Sequence, residues 1–189
     1  MSRLPALHRD ELDEVGQALW DQIVSTRSAA VVDEHGGLRG PFNPWVHAPE
    51  VGRRAADLGA HLRFGVSVER RLLELAIITV GAHWKAEFEW WAHVPMAREH
   101  GVSDPVIEAI GRGAPPVFEH DDERIVHAVA SQLCADGHVD AKTYADAQSL
   151  LGDRGLVELV TLCGYYVLVS FTLNAFDISL PPGSKPAFS

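Results

Sequence analysis

Three side chains in the middle of the chain are suited to moving protons: Glu74, Glu89 and His93. Glu89 and His93 are four residues apart, so on a helix they lie on the same face. A carboxylate beside an imidazole orients the ring and raises its basicity, as general acid/base chemistry requires. The same spacing also describes an exposed helix pair worth only about 0.2–0.5 kcal/mol, and taken alone it favours that simpler interpretation.

Glu74 lies within an almost wholly apolar run, Leu72 to Val80, which predicts a buried helix. A buried carboxylate without a partner is costly, so Glu74 must stay protonated or find a positive charge. One interpretation is an acid/base group with a raised pKa. The other is a structural ion pair with Arg70, Arg71 or an arginine of a neighbouring helix. The sequence leaves both interpretations open.

A second pair at the same spacing, His83 and Glu87, adds potential metal ligands. The sequence contains no Glu-x-x-His or His-Glu-x-x-His signature, and two pairs on different helix faces cannot converge on one ion without other helices. A metal site is therefore not favoured. Because glycine-rich phosphate loops and nucleophile elbows are also missing from the sequence, we predict no cofactor.

Aromatic and polar side chains near these groups could line a substrate pocket. The alternative is that they pack in the core or at a subunit interface, the commonest fate of such side chains. We predict that a small organic substrate contacts four of them: Asn43, Trp45, Trp90 and Tyr165.

Composition narrows the class of protein and its partners. The formal net charge of −10 and the lack of a Lys/Arg cluster argue against nucleic acid. No run approaches the roughly 20 apolar residues that span a bilayer, so we predict no membrane partner. Charged residues throughout Met1–Asp21 are untypical of a secretory signal, which favours the cytoplasm. The only two cysteines, Cys134 and Cys163, are expected to be buried free thiols.

Apolar residues recur at helical spacing along most of the chain, which predicts one all-α domain over residues 1–189. We expect an N-terminal helix over 8–27, a non-helical loop over 36–49 and an extended tail over 180–189. Ser67 is predicted to cap the third helix, and Gly81 to mark a break after it. The central part of the N-terminal helix is predicted at about 10–26. Further helices are predicted at about 49–64, 67–80, 84–99, 121–135, 140–151 and 155–172, with a short one that starts at Ser103-Asp104-Pro105.

Arg70–Ile110 resembles the carboxymuconolactone decarboxylase family, which includes the alkylhydroperoxidase D-like proteins. The residues that carry the resemblance read Leu73-Glu74-Leu75-Ala76-Ile77, then Glu87-Phe88-Glu89-Trp90-Trp91-Ala92-His93-Val94, then His100-Gly101-Val102-Ser103. A looser likeness extends over about residues 45–178. It implies an all-helical fold that assembles into dimers, trimers or hexamers.

Peroxidase members of that family place a glutamate, a Cys-x-x-Cys motif and a histidine at fixed spacing. Glu74 and His93 fall on the glutamate and the histidine, whereas Ala86 and Glu89 fall on the two cysteines. Thiol peroxidase chemistry needs a thiolate to attack oxygen and a second thiol to resolve the sulfenate, and neither replacement can do this. What remains is a carboxylate and an imidazole, which move protons.

The resemblance and the residues together predict a decarboxylase-like enzyme that performs cofactor-free acid/base chemistry on a small organic acid or lactone. Decarboxylation or a related lyase or isomerase step would use His93 as general acid/base, Glu89 as its partner and Glu74 to tune the pocket. The alternative is a non-catalytic helical oligomer that binds a small ligand. A thiol-dependent peroxidase ranks third.

Overall fold

The computed structural model describes residues 2–27 and 31–188; Met1, residues 28–30 and Ser189, the end of the predicted tail, lie outside the described part. Within that part the chain is helical, and the only β pairing is a single antiparallel bridge between Val32 and Leu38. The prediction of an all-α fold is confirmed. The α-helices are α1 (Glu14–Arg27), α2 (Phe42–Val46), α3 (Pro49–Phe64), α4 (Arg70–His83), α5 (Glu87–Glu99), α6 (Asp104–Gly111), α7 (Asp121–Asp136) and α8 (Ala141–Ala175), preceded by a 3₁₀ turn at Arg9–Glu11.

Helix α4 is the centre of the fold. Every residue from Leu72 to Gly81 is buried, because α5, α7 and α8 all pack against this helix. Such enclosure matches its nearly continuous apolar sequence. Glu74 is thereby fixed in the interior of the protein and points from α4 towards its neighbours.

Two groups of apolar side chains form the interior. The larger joins α1, α2, α3, α4, α7 and α8. The smaller lies on the other side of α4, where it meets α5 and α6 through residues such as Leu75, Ile78 and Val106. Helix α5, which carries Glu89 and His93, is therefore held between the two groups.

Helix α8 contains a break at Gly152, whose backbone has a positive φ and is not helical (φ 66°, ψ 174°). Glycine adopts this conformation without the steric cost that a Cβ adds. The two helices predicted at 140–151 and 155–172 therefore run on from one another across Gly152. By length and composition α8 could also cross a membrane, but half of its most apolar window is buried within the protein, as in a core helix.

The prediction that residues 36–49 exclude a helix is wrong, because Phe42–Val46 forms the short helix α2. Pro44 lies in its first turn, where backbone N–H groups have no partner within the helix. A proline there loses no hydrogen bond. All five residues of α2 are buried, so packing rather than helix propensity stabilises this turn.

Two predicted helix boundaries also differ. Ser67 does not cap α4: its hydroxyl and its N–H donate to the Glu158 carboxylate at 2.6 and 2.7 Å, and the helix begins at Arg70. Gly81 does not interrupt α4, which continues to His83. A Cβ at Gly81 would lie 3.6 Å from Glu89 Cγ, which is an ordinary contact distance, so the packing of Glu89 does not require a glycine here.

Two glycines inside helices provide a matched test of packing. A Cβ at Gly52 would lie 2.5 Å from the Trp45 carbonyl oxygen and 2.7 Å from its Cβ, whereas a Cβ at Gly164 would meet nothing within 4 Å. We expect Gly52→Ala to lower the free energy of unfolding by about 1–3 kcal/mol through overpacking of α2 on α3. Gly164→Ala should raise it by about 0.5–1 kcal/mol. Urea unfolding of both variants measures this, and equal effects would contradict the packing described.

Candidate active site

The imidazole of His93 lies between two carboxylates. Its Nδ1 is 2.6 Å from Glu74 Oε2, and its Nε2 is 2.9 Å from Glu89 Oε1. Glu89 comes from the preceding turn of α5 and Glu74 from α4, so the packing of these two helices assembles the cluster. The exposed fractions of Glu74, Glu89 and His93 are 0%, 4% and 5%, which separates the cluster from bulk water. The interpretation of Glu89 and His93 as an exposed pair is therefore wrong.

Glu74 is also paired with Arg70, one turn earlier on α4. Arg70 Nη2 lies 2.6 Å from Glu74 Oε1; the distance is that of an ion pair, although the angles are not those of a hydrogen bond. Burial raises the pKa of Glu74, but His93 and Arg70 together outweigh it, and the net effect lowers that pKa. Glu74 is thus an anion that fixes the imidazole, and the interpretation of it as a group with a raised pKa is not supported.

The same contacts decide the protonation of His93. Burial lowers the pKa of His93, but the charges of Glu89 and Glu74 and their hydrogen bonds outweigh burial, and the net effect raises it above the ordinary value of 6.5. A protonated ring carries an N–H on each nitrogen; Nδ1 is hydrogen-bonded to Glu74, and Nε2 lies at ion-pair distance from Glu89. The ring of His93 therefore takes up a proton more readily than a free histidine does, and Arg70 is the other cation beside Glu74.

A cavity of about 530 Å³ opens beside the cluster, a volume in the range of small-molecule sites. Glu89 and His93 line it, whereas Glu74 does not. Its walls are largely aromatic and apolar, and three arginines also reach it. The other lining residues include Arg27, Arg39, Phe42, Trp45, Arg63, Phe88, Trp91, Met96, Tyr165, Tyr166 and Val169.

The four predicted substrate contacts divide into two pairs. Trp45 and Tyr165 line the cavity, but Asn43 and Trp90 do not. The Asn43 side chain accepts from the Leu7 N–H at 3.1 Å and donates to the Pro5 carbonyl at 3.0 Å, and so fixes the N-terminal segment. Trp90 packs edge-to-face on Phe188, with ring centroids 5.2 Å apart.

Two cavity residues could not be singled out from the sequence. Arg27 is the last residue of α1 and Arg63 lies in the last turn of α3, where a basic residue usually serves only the helix terminus. Tyr166, next to the predicted Tyr165 on α8, meets the His93 ring edge-to-face at 5.2 Å. Gly59 makes room for Tyr165, because a Cβ on Gly59 would overlap the phenol oxygen. Each of these residues is brought to the site by tertiary packing and by no local motif.

The other sequence candidates lie elsewhere. His83 ends α4 and Glu87 begins α5, so they are not a pair on one helix. Glu87 accepts from the N–H groups of Ala187 and Phe188 at 2.7 and 2.8 Å and holds the tail. Among residues 2–27 and 31–188, no three His, Cys, Asp or Glu side chains are grouped as ligands for one metal ion.

Cys134 and Cys163 are free thiols in the described structure, and Cys163 is buried while Cys134 is partly so. Burial raises the pKa of Cys134 to about 11 and that of Cys163 to about 12. Both therefore favour the thiol over the nucleophilic thiolate at neutral pH. Neither is among the residues that line the cavity beside His93.

Comparison of the structure with solved structures identifies the fold. The chain superposes on the crystal structure of an alkylhydroperoxidase AhpD core, an uncharacterized peroxidase-related protein from Ralstonia eutropha JMP134, with a TM-score of 0.75. The match covers 99% of this chain and 94% of that one at 13% sequence identity. The protein thus has the alkylhydroperoxidase D-like fold. Comparisons with protein-family models and with curated proteins gave no match.

The charge state of His93 can be measured by NMR titration of its ring. We expect a midpoint above pH 6.5 in the wild type and a lower one in Glu89→Gln, which removes one of the two anions that raise it. Glu87→Gln, also on α5 but bonded to the tail, should leave the midpoint unchanged. A wild-type midpoint below 6.5, or no response to Glu89→Gln, would show that burial dominates.

Proposed function

We propose that the protein is an enzyme that transfers protons to or from a small organic acid or lactone in the cavity beside His93. The observation that supports this most directly is the placement of Glu89 and His93 on the cavity wall, 2.9 Å apart, with Glu74 holding the far side of the ring. General acid/base catalysis requires a titratable group that is shielded from bulk water and lies within reach of the substrate, and Glu89 and His93 beside a mostly apolar cavity fit this description.

The three side chains have separate roles in this proposal. Glu74 accepts from Nδ1, fixes the ring orientation and stabilises its positive charge. His93 stores the proton, and Glu89 carries it between Nε2 and the substrate. Because both ring nitrogens are occupied by carboxylates, the substrate meets Glu89 first, and this carboxylate becomes the catalytic residue that touches the reacting atom.

In a decarboxylation, the broken bond, its electron pair and the transferred proton can each be followed. The bond between the substrate carbon and its carboxylate breaks, carbon dioxide leaves, and the electron pair remains as a carbanion or enolate. That carbon takes a proton from Glu89, which receives it from His93 Nε2, and the neutral imidazole regains a proton from water. An isomerase step would use the same pair, with Glu89 removing a proton from one carbon and returning it to another.

Two other functions predict different results. A non-catalytic binding protein would hold a ligand in the same cavity without turnover. A thiol peroxidase, suggested by the description of the Ralstonia eutropha protein, would have to act through Cys134 or Cys163, since Ala86 and Glu89 occupy the positions of the redox cysteines. The raised pKa values of both thiols favour the acid/base proposal over this one.

Substitution of the cavity pair tests the proposal. A panel of small organic acids and lactones is assayed for carbon dioxide release and for incorporation of solvent deuterium. We expect Glu89→Gln and His93→Gln to lower kcat by about 10²–10⁴-fold, the contribution of general acid/base catalysis. Glu87→Gln should retain full activity, and circular dichroism should show the folded state of each variant.

Three outcomes would contradict the proposal. Full turnover in Glu89→Gln and His93→Gln would remove these groups from the chemistry. Ligand binding without any turnover across the panel would establish the binding protein. Reduction of hydroperoxides by a dithiol, lost when Cys134 and Cys163 are changed to serine, would establish a peroxidase.

We also propose that the protein self-associates through an exposed apolar stripe on α8, formed by Val157, Val160, Leu168 and Phe171. Their separations of three, eight and three residues place them on one helix face. A stripe of this kind on a long helix fits a second copy of itself.

Sedimentation velocity tests this surface. We expect Leu168→Glu to shift the protein to a smaller species, because a charge in an apolar interface is costly. Val117→Glu is the matched control, since Val117 is 86% exposed but lies away from α8. A monomeric wild type at tens of micromolar, or equal effects of the two substitutions, would contradict the assignment.

A further inference from the structure

Two arginines in the cavity have no acidic partner within the described part of the chain. Among residues 2–27 and 31–188, neither Arg27 nor Arg63 forms an ion pair with a carboxylate. Arg27 stacks on the Phe42 ring, with its guanidinium carbon 5.1 Å from the centroid. Arg63 Nη2 contacts the Met96 sulfur at 3.4 Å, and its Nε is buried without a hydrogen-bond partner. A guanidinium left in this state lacks the acceptors that it normally has.

The remaining charges around the cavity compensate one another. Glu74 and Glu89 balance His93 and Arg70, and the Arg39 guanidinium lies 2.7 Å from the Glu34 carboxylate. Arg27 and Arg63 therefore give the cavity an excess of two positive charges, although the formal net charge of the chain is −10. A local field opposite in sign to that of the whole protein selects anions at this point.

Arg27 and Arg63 also lie close enough to affect each other. Burial lowers the pKa of Arg27 and the charge of Arg63 lowers it further, whereas Tyr165, Tyr166 and Glu89 raise it by smaller amounts. Two neighbouring guanidiniums repel each other, so their arrangement costs free energy in the empty cavity. An anion between them would relieve this repulsion and supply the missing acceptors.

We infer that Arg27 and Arg63 form a carboxylate-binding subsite that anchors the substrate, with its apolar body between Trp45, Tyr165 and the other aromatic walls. The guanidinium fork matches a carboxylate, which can accept two parallel hydrogen bonds. This inference rests on the proposed function, because it places the anchoring carboxylate in the cavity where Glu89 and His93 act. The substrate class is then an organic acid that carries a carboxylate on a flat or compact apolar body.

Binding of simple probes tests the subsite without any turnover. Benzoate, cinnamate and cyclohexanecarboxylate are titrated into the full chain by isothermal calorimetry, each beside its neutral amide. We expect the carboxylates to bind, the amides to bind at least about tenfold more weakly, and Arg27→Gln and Arg63→Gln each to weaken carboxylate binding at least about tenfold. Arg98→Gln, which breaks an exposed pair with Asp104, is the matched control and should change nothing.

Arg63→Lys separates charge from geometry, since lysine keeps the charge but loses the fork. It should recover part of the lost affinity, and it provides a second variant at this position if the glutamine form unfolds. The inference is overturned if no carboxylate of the series binds, if the amides bind as tightly, or if both arginine variants bind like Arg98→Gln. Because binding is measured without catalysis, that result leaves the His93 proposal standing. Conversely, arginine-dependent binding with unaltered turnover in His93→Gln would overturn only the proposed chemistry.

Discussion

A single buried ionic cluster organises this protein: an imidazolium held between two carboxylates where α4 and α5 pack. Removing three charged groups from water is costly, and the cost is offset only because each has a partner at 2.6–2.9 Å. Glu74 needs Arg70 and His93, and His93 needs both glutamates. This mutual dependence fixes the register of α4 against α5.

The cluster is asymmetric, and its function follows from that asymmetry. Glu74 is shut in the interior beside Arg70, whereas Glu89 faces a cavity of about 530 Å³. The two carboxylates thus differ in what they can reach, although both bind the same ring. The alkylhydroperoxidase D-like fold sets this position between helices, whereas the chemistry depends on the residues found there, which here are two carboxylates and an imidazole.

Much of the structure around the cluster could be predicted from local patterns in the sequence. The apolar run of α4, the Glu89–His93 spacing and the boundaries of α3 and α7 all follow from helical periodicity, and the resemblance anticipated the fold. Sequence could not place Arg27 or Arg63, which reach the cavity from two different helices. It also misjudged Phe42–Val46, because burial overrides the composition of so short a segment, and it put Asn43 and Trp90 forward without knowing which way each faces.

The central claim is that His93 stores a proton between Glu74 and Glu89. Neutron diffraction from a deuterated crystal at pH 6.5, the ordinary pKa of histidine, observes that proton directly. Nuclear density for deuterium on both Nδ1 and Nε2, with neither carboxylate protonated, is the predicted result. A neutral ring with density on one nitrogen only, or a proton resident on Glu74, would contradict the account of how this site stores and delivers protons.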